Sequence, residues 1–502
     1  MIKISFKNSF YNNNLSIATP LFFITFNPQT IASFMKIAFH GAARTVTGSK
    51  HLLTLANNTK ILFDCGLFQG MGQDTNALNA EFGFVASEID FLILSHAHID
   101  HSGLIPKLVS EGFKGKIYCT PATSSLAGVL LEDSAVIQRD DTRYVNKRRA
   151  LTGLPPVVPL YTEDDVKATL HLFETKEYDQ WFEVCAGVRA MFTDAGHIIG
   201  SAVVNLVVKE NGKETHIAFT GDVGRYRDVI LKSPATFPQA DYIISESTYG
   251  NSLHDQVKDT LNTLEHWITE TCVKKKGKLV IPAFSVGRTQ ELLYYMNQLF
   301  LEKKLPHVKV FVDSPLSEKV TKIVKSYSKY FNNRIRKLME TDDDPFDFPN
   351  LIFTADAEES KAINSLQQPC IILAASGMAD AGRIKHHIAN TINDKKNTIL
   401  IVGYCEPFSL GGKLMRGAKK VRIYGEEHNV VAEVGVMRSL SAHGDYDDLS
   451  QFLACQDAKK VKKFFIVHGE YEVQQNFQER LYKKGFPEVV IPKLHEEFGL
   501  DK

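Results

Sequence analysis

From Met35 onward the chain alternates short apolar runs with polar turns, and the period of that alternation changes partway along. The stretch MKIAFHGAARTVTGSKHLL reads as the start of a compact unit. In LLTLANNTKILFDCG two apolar runs flank Asn57-Asn58, which predicts two strands joined by a turn. SAVVNLVVKENGKETHIAFTGD gives a stronger hairpin signal, two β-branched runs meeting around Asn211-Gly212. Between these lies a helical insertion predicted over about 125–175, with Arg139, Arg143 and Lys147 at four-residue spacing. A basic face of this kind is more often solvated than functional.

From about residue 250 the pattern becomes strand–loop–helix. KLVIPAF leads into SVGRTQELLYYMNQLF, VKVFVD into SPLSEKVTKIVKSY, and CIILAAS into GMADAGRIKHHIANTI. Repeated units of this type predict a parallel, Rossmann-like sheet covered by helices. Neither a Gly-x-Gly-x-x-Gly nor a Walker loop occurs, so a nucleotide-binding role finds no support. The tail repeats the strand–helix grammar once more in KKFFIVHGEYEVQQNFQERLYKKG, after SLSAHGDYDDLSQFLA. No low-complexity linker separates the two grammars, so the expected domains are in close contact or one is inserted in the other.

Composition narrows the function classes. The 502 residues suffice for about two to four domains. With 58 basic and 58 acidic residues the net charge is zero, so any attraction for nucleic acid must be local, and non-specific affinity for it modest. The seven cysteines are widely spaced without a Cys-x-x-Cys, which argues against a disulfide framework or a thiolate zinc site and for a reducing, cytoplasmic location. No apolar run reaches the ~18 residues of a membrane span. Residues 1–34 contain only the short apolar piece PLFFITF, fit a signal peptide poorly, and are expected to be a disordered extension or a mis-assigned start.

The chemistry concentrates in LSHAHIDHSGL, residues 94–104. FLILS is a buried-strand pattern and HSGLIPKLV a helix leaving it. Side chains at i and i+2 of an extended segment project to one face, so His96 and His98 can reach one cation. Asp100 and His101, at the turn, can aim at a neighbouring point. Imidazole and carboxylate are ordinary zinc ligands, and a chance polar turn with this spacing is improbable. These four residues cannot close two metal sites. Partners are offered at strand ends by His197 in FTDAGHIIGSA, Asp222 in HIAFTGDVG and His468 in FFIVHGEYE. Singly, such an Asp more often caps a turn and such a His is a surface group; beside the cluster each becomes a credible ligand.

With these residues the chain resembles the metallo-β-lactamase superfamily, specifically its β-CASP nuclease branch. The resemblance rests on Asp64 in ILFDCG, the His96–His101 signature, His197 and Asp222, and adds Glu246 in SESTYG, His443 in SAHGD and His468 in IVHGE. VDSPLS and ASGMADAGR are also similar, whereas GYCEPFSLGGKL departs from the Gly-Thr-rich turn of many relatives. The resemblance implies an α/β fold, a metallo-β-lactamase αββα sandwich (35–248 and 428–502) with an inserted Rossmann-like β-CASP domain (249–427). It implies two zinc ions: His96, His98 and His197 on one, Asp100, His101 and His468 on the other, Asp222 bridging. Asp64 orients ligands or the bridging water rather than binding metal. Two zincs about 3.5–4 Å apart would generate hydroxide for attack on a phosphodiester, with Asp100 and Asp64 counted among the catalytic groups. His443, oriented by Glu246, would protonate the leaving oxygen.

The implied activity is a ribonuclease cutting internally in single-stranded RNA and leaving a 5′-phosphate and a 3′-hydroxyl. His468 favours RNA over DNA, because DNA-repair members of the branch carry an apolar residue there. A thioester or lactam hydrolase is the alternative of another reaction class, and a non-catalytic RNA-binding partner a third. A homodimer is an option that relatives often take. Arg288 and Ser376-Gly377 sit where backbone N–H groups could meet phosphates, with helix capping and turn geometry equally good explanations.

Overall fold

A computed structural model of the protein describes residues 34–500, apart from 211, 255–259, 343, 404 and 438. The expectation for the N-terminal extension, Phe34 aside, lies outside the described residues, as does Asn211 of the second hairpin turn.

Two seven-stranded sheets face one another. The first runs, edge to edge, Glu496–Gly499, Lys36–Phe39, His51–Thr54, Lys60–Phe63, Phe91–Ile93, Lys116–Cys119 and Phe173–Thr175. The second runs Val489–Val490, Lys463–Ile466, Tyr242–Ser245, Lys213–Phe219, Ala202–Glu210, Val188–Asp194 and Phe182–Cys185. Both predicted hairpins form: His51 pairs with Phe63 and Thr54 with Lys60, while Glu210 pairs with Lys213 and Phe219 with Val204.

The two-residue period of a strand sorts the side chains into layers. Leu53, Ile61, Phe63 and Ile93 point inward and meet Val204, Leu206, Phe219 and Ile244 of the other sheet. Their neighbours Leu52, Leu62, Leu92 and Ile117 point outward against Ile105, Leu108, Leu126 and Leu130 of the helices. On the far side Val203, Ala218, Ile243 and Phe464 pack against Leu449, Phe452, Phe477 and Leu481. The result is helix, sheet, sheet, helix.

The insertion is built on a third sheet of six parallel strands, ordered Leu351–Phe353, Lys309–Val312, Cys370–Ala374, Lys278–Pro282, Thr398–Val402 and Glu433–Met437. Its central strands are buried on both faces, as a helix-covered parallel sheet requires. By sheet membership Glu433–Met437 belongs with this unit, beyond the 427/428 boundary read from the sequence.

The segment 125–175 is mostly helical, as expected, and ends in a strand. Its helix starts at Pro121, capped by Thr120, and runs to Leu151; a second helix spans Glu163–Leu170, and Phe173–Thr175 is a strand of the first sheet. One face of the first half of the long helix is buried, through Leu126, Leu130 and Ala135 among others. Its hydroxyl-rich first turn hides the apolar period that starts at Leu126. The basic side chains lie on the exposed half, where Arg139 pairs with Glu163 and Asp140, and Arg143 stands 3.6 Å from Asp140. That face is solvated and partly neutralised.

Candidate metal centre and its neighbours

The centre lies at the carboxyl ends of strands from both facing sheets. Lys60–Phe63 and Phe91–Ile93 run parallel and deliver Asp64 and the His96–His101 loop. Lys213–Phe219, Tyr242–Ser245 and Lys463–Ile466 run parallel and deliver Asp222, Glu246 and His468. A parallel set ends on one edge, which brings together residues hundreds of positions apart.

The Asp64–Leu67 turn is laced to the histidine loop by backbone hydrogen bonds: Cys65 N–H to His101 O at 2.7 Å, Leu67 N–H to Ile99 O at 2.9 Å, and Leu104 N–H to Cys65 O at 2.8 Å. The approach is so close that a Cβ on Gly66 would fall 1.6 Å from the carbonyl oxygen of Asp100. Asp64 itself has φ +58° and His468 φ +49°, left-handed conformations that non-glycine residues adopt rarely and hold only where the surroundings fix them.

Two groups of donor atoms converge. In the first, His98 Nδ1 is 3.2 Å from His96 Nε2 and 3.1 Å from His197 Nε2, and Asp222 Oδ2 lies 3.4 and 3.5 Å from those two Nε2 atoms. In the second, His101 Nε2 is 3.2 Å from His468 Nε2 and 3.3 Å from Asp222 Oδ1, and Asp100 Oδ2 is 3.4 Å from His468 Nε2. One ring nitrogen offers one in-plane lone pair or one hydrogen, so His98 Nδ1 cannot satisfy two imidazoles at once. A cation can satisfy all of them. Tetrahedral ligands at ~2.0–2.1 Å stand ~3.3–3.4 Å from one another, the spacing seen here. Asp222 turns one oxygen to each group, and its Oδ1 has no hydrogen-bond partner although it is buried.

Groups behind the ligands fix which nitrogen faces inward. Asp64 Oδ2 lies 2.6 Å from His101 Nδ1 and itself accepts hydrogen bonds from Ser95 Oγ and Ser49 Oγ, while Ser95 N–H donates to Oδ1. Ser95 Oγ is 3.0 Å from His96 Nδ1, and Thr248 Oγ1 is 3.1 Å from His468 Nδ1. Each contact leaves Nε2 free for the centre. Asp64 is thus behind the donors rather than among them. Sequence reasoning missed Ser95 and Thr248; their only signal was adjacency, one preceding His96 and the other two residues after Glu246.

Electrostatics follow from burial and charge. Burial, reinforced by neighbouring imidazoles, pushes His96 down to about 3 and holds His197 far below the usual histidine range; His98 falls to about 4, burial outweighing Asp100 and Asp222. These rings are neutral, the state that binds metal. At His101 burial is outweighed by Asp222 and Asp64, which hold its proton firmly. Burial also opposes charge on His443, but Glu246 and Asp222 prevail and raise it to about 9.

His443 Nδ1 lies 3.0 and 3.1 Å from the two Glu246 oxygens, and its Nε2 is 3.9 Å from Asp222 Oδ2. Glu246 is fully buried and held by the N–H groups of Val223 and Thr248. The ring of His443 is 18% exposed, so this donor is reachable from solvent. The remaining sequence candidates fall outside the centre. Arg288 is buried and paired with Glu291, and Gly377 packs against Phe284.

The chain matches the metallo-β-lactamase superfamily model over residues 51–282, the Beta-Casp domain over 289–414, and the Zn-dependent metallo-hydrolase RNA specificity domain over 427–492. It is 34% identical over 438 residues to ribonuclease TTHA0252 of Thermus thermophilus, covering 87% of this chain and 94% of that one. Transcription termination factor FttA of Thermococcus kodakarensis is 30% identical over 470 residues, 90% of this chain and 69% of its own. Cleavage and polyadenylation specificity factor 73 of Drosophila melanogaster is 29% identical over 461 residues, 90% of this chain and 62% of its own. Among solved structures, a protein of unknown function from Enterococcus faecalis shares the fold, with a TM-score of 0.50 at 11% identity over 93% of this chain and all of the other. The fold, the ordered matches along the chain and the full-length relative agree: the chain belongs to the metallo-β-lactamase superfamily and, within it, to the β-CASP branch.

Proposed function

We propose that the chain is a two-zinc ribonuclease that hydrolyses internal phosphodiester bonds of single-stranded RNA, leaving a 5′-phosphate and a 3′-hydroxyl. His96, His98 and His197 would hold one zinc, Asp100, His101 and His468 the other, with Asp222 shared. Bound there, the two cations supply Lewis acidity, charge neutralisation and an activated water near neutral pH. The named relatives, a ribonuclease and a cleavage factor among them, support RNA as substrate.

The observation that carries the reading is the His443–Glu246 pair. Nδ1–H donates to the Glu246 carboxylate at 3.0 Å, which leaves Nε2–H of the imidazolium facing the centre beside Asp222. A proton held at Nε2 is available to a departing ribose oxygen, the poor leaving group of a phosphodiester. Val223 and Thr248 N–H groups keep the carboxylate from turning away. A thioester leaves as a stabilised thiolate and has less use for such an acid, which sets that alternative behind.

The deciding experiment is digestion of 5′-phosphorylated, 5′-blocked and circular RNA by zinc-replete protein. Cleavage of all three, with 5′-phosphorylated products, is expected. Strict dependence on a free 5′ end would replace the internal mode with an exonucleolytic one, and failure to cut any of the three would overturn the ribonuclease reading.

A further inference from the structure

The turn Glu406–Ser409 occupies the part of GYCEPFSLGGKL that departs from the family pattern. It is held from three sides. Glu406 packs against Gly70, where a Cβ would stand 2.6 Å from its Cγ. Cys405 Sγ lies 3.6 Å from Gly377 O, and Gly411 N–H donates to Met378 O at 2.9 Å. Ser409 caps the short helix Leu410–Met415, and Asp380 Oδ1 accepts the N–H of Leu410 at 2.8 Å. Gly70 follows the turn that is laced to the histidine loop, and Gly403 N–H reaches Met437 O, just ahead of the segment bearing His443. The turn is therefore a fixed part of the wall between the inserted unit and the metal centre.

On this rigid turn Phe408 is 72% exposed. The exposed ring gives this turn an apolar face that a ligand could cover. Two cations follow Phe408 closely in the chain. Arg416 donates from Nη2 to Pro407 O, which holds the guanidinium against the turn, and Lys413 is exposed on the helix that Arg416 ends. Neither has an ion-pair partner among the described residues, unlike Arg139 on the long helix. An exposed aromatic on a turn that also carries cations without ion-pair partners matches the chemistry of single-stranded nucleic acid, which offers a stacking face and regularly spaced phosphates.

We propose that Phe408, Lys413 and Arg416 form a subsite for single-stranded RNA, the ring stacking on one unpaired base and the cations meeting the flanking phosphates. The subsite deepens the ribonuclease reading and rests on it for the identity of the strand. It would favour unstacked segments over duplex, since a base in a helix cannot present its face to the ring.

The test mixes zinc-loaded protein with single-stranded RNA carrying 2-aminopurine, following fluorescence quenching and cleavage in one trace. Quenching is expected with the parent and lost in Phe408→Ala, whose KM should rise on the order of tenfold with kcat unchanged. Phe408→Trp should restore both, and hydrolysis of bis(p-nitrophenyl) phosphate should not change in either variant. RNA cleaved by Phe408→Ala with parental KM and quenching would overturn the subsite while leaving the ribonuclease reading intact. Quenching that depends on Phe408 without any RNA cleavage would uphold the subsite and overturn the ribonuclease reading. Neither binding nor cleavage would overturn both.

Discussion

At the scale of single residues, the roles proposed for His443 and Glu246 separate proton delivery from metal binding. His443→Ala should retain two zincs by metal analysis and lose turnover by a factor on the order of 10²–10⁴; loss of zinc from this variant would assign the residue to the metals instead. Glu246 fixes the working pH. Glu246 favours the imidazolium of His443, so turnover should fall on the alkaline side as that proton is lost. Glu246→Gln removes the main charge that sustains it, so the alkaline fall should move to lower pH, and an unmoved profile would contradict the pairing. The sign for stability agrees: a raised folded value contributes stability in full below the unfolded value of about 6.5, lost as pH rises through about 9.

At the scale of elements, the critical unit is the Asp64–Leu67 turn pressed on the histidine loop. Gly66→Ala must push Asp100 away, because the added Cβ and the Asp100 oxygen cannot share 1.6 Å. Displacing a positioned group by about 1 Å costs on the order of 100-fold in rate. The expected result is a folded protein by circular dichroism with depleted zinc and that loss of turnover; normal zinc content would show that the loop yields without consequence. This turn also shows where sequence reading ends. His96, His98, Asp100 and His101 are legible because spacing along one segment fixes their common direction. The hairpins and the strand–helix units are legible because burial imposes a period of two or 3.6. The contacts of Ser95 with Asp64 and of Thr248 with His468 are not, since a hydroxyl leaves no periodic trace and its partner is set by how two strands align. The start of the long helix at Pro121 was obscured by its hydroxyl-rich first turn, and the strand Glu433–Met437 by its position past a two-stranded hairpin.

At the scale of the whole molecule, the candidate centre joins the two facing sheets. Without cations the neutral imidazoles of His96, His98 and His197 are buried or half-buried with ring nitrogens facing one another, an arrangement that favours opening of the interface. Metal bound only by the folded state stabilises it by about 4 kcal/mol at a thousandfold excess over Kd. Chelation should therefore lower the unfolding temperature and zinc restore it. An unfolding temperature indifferent to chelator would argue that the donors do not hold metal.

The wide separation of these donors along the chain also orders events in time. His96 and His98 are synthesised early, whereas His443 and His468 follow only after the whole inserted unit has been made. A chain emerging from the ribosome thus lacks His468 and the proposed proton donor His443 until near the end of its synthesis. If RNA is its substrate, the message that encodes it is spared from its own product until the strand Lys463–Ile466 has slotted beside Tyr242–Ser245. On the proposed function, completion of one parallel strand pair would be the arming step.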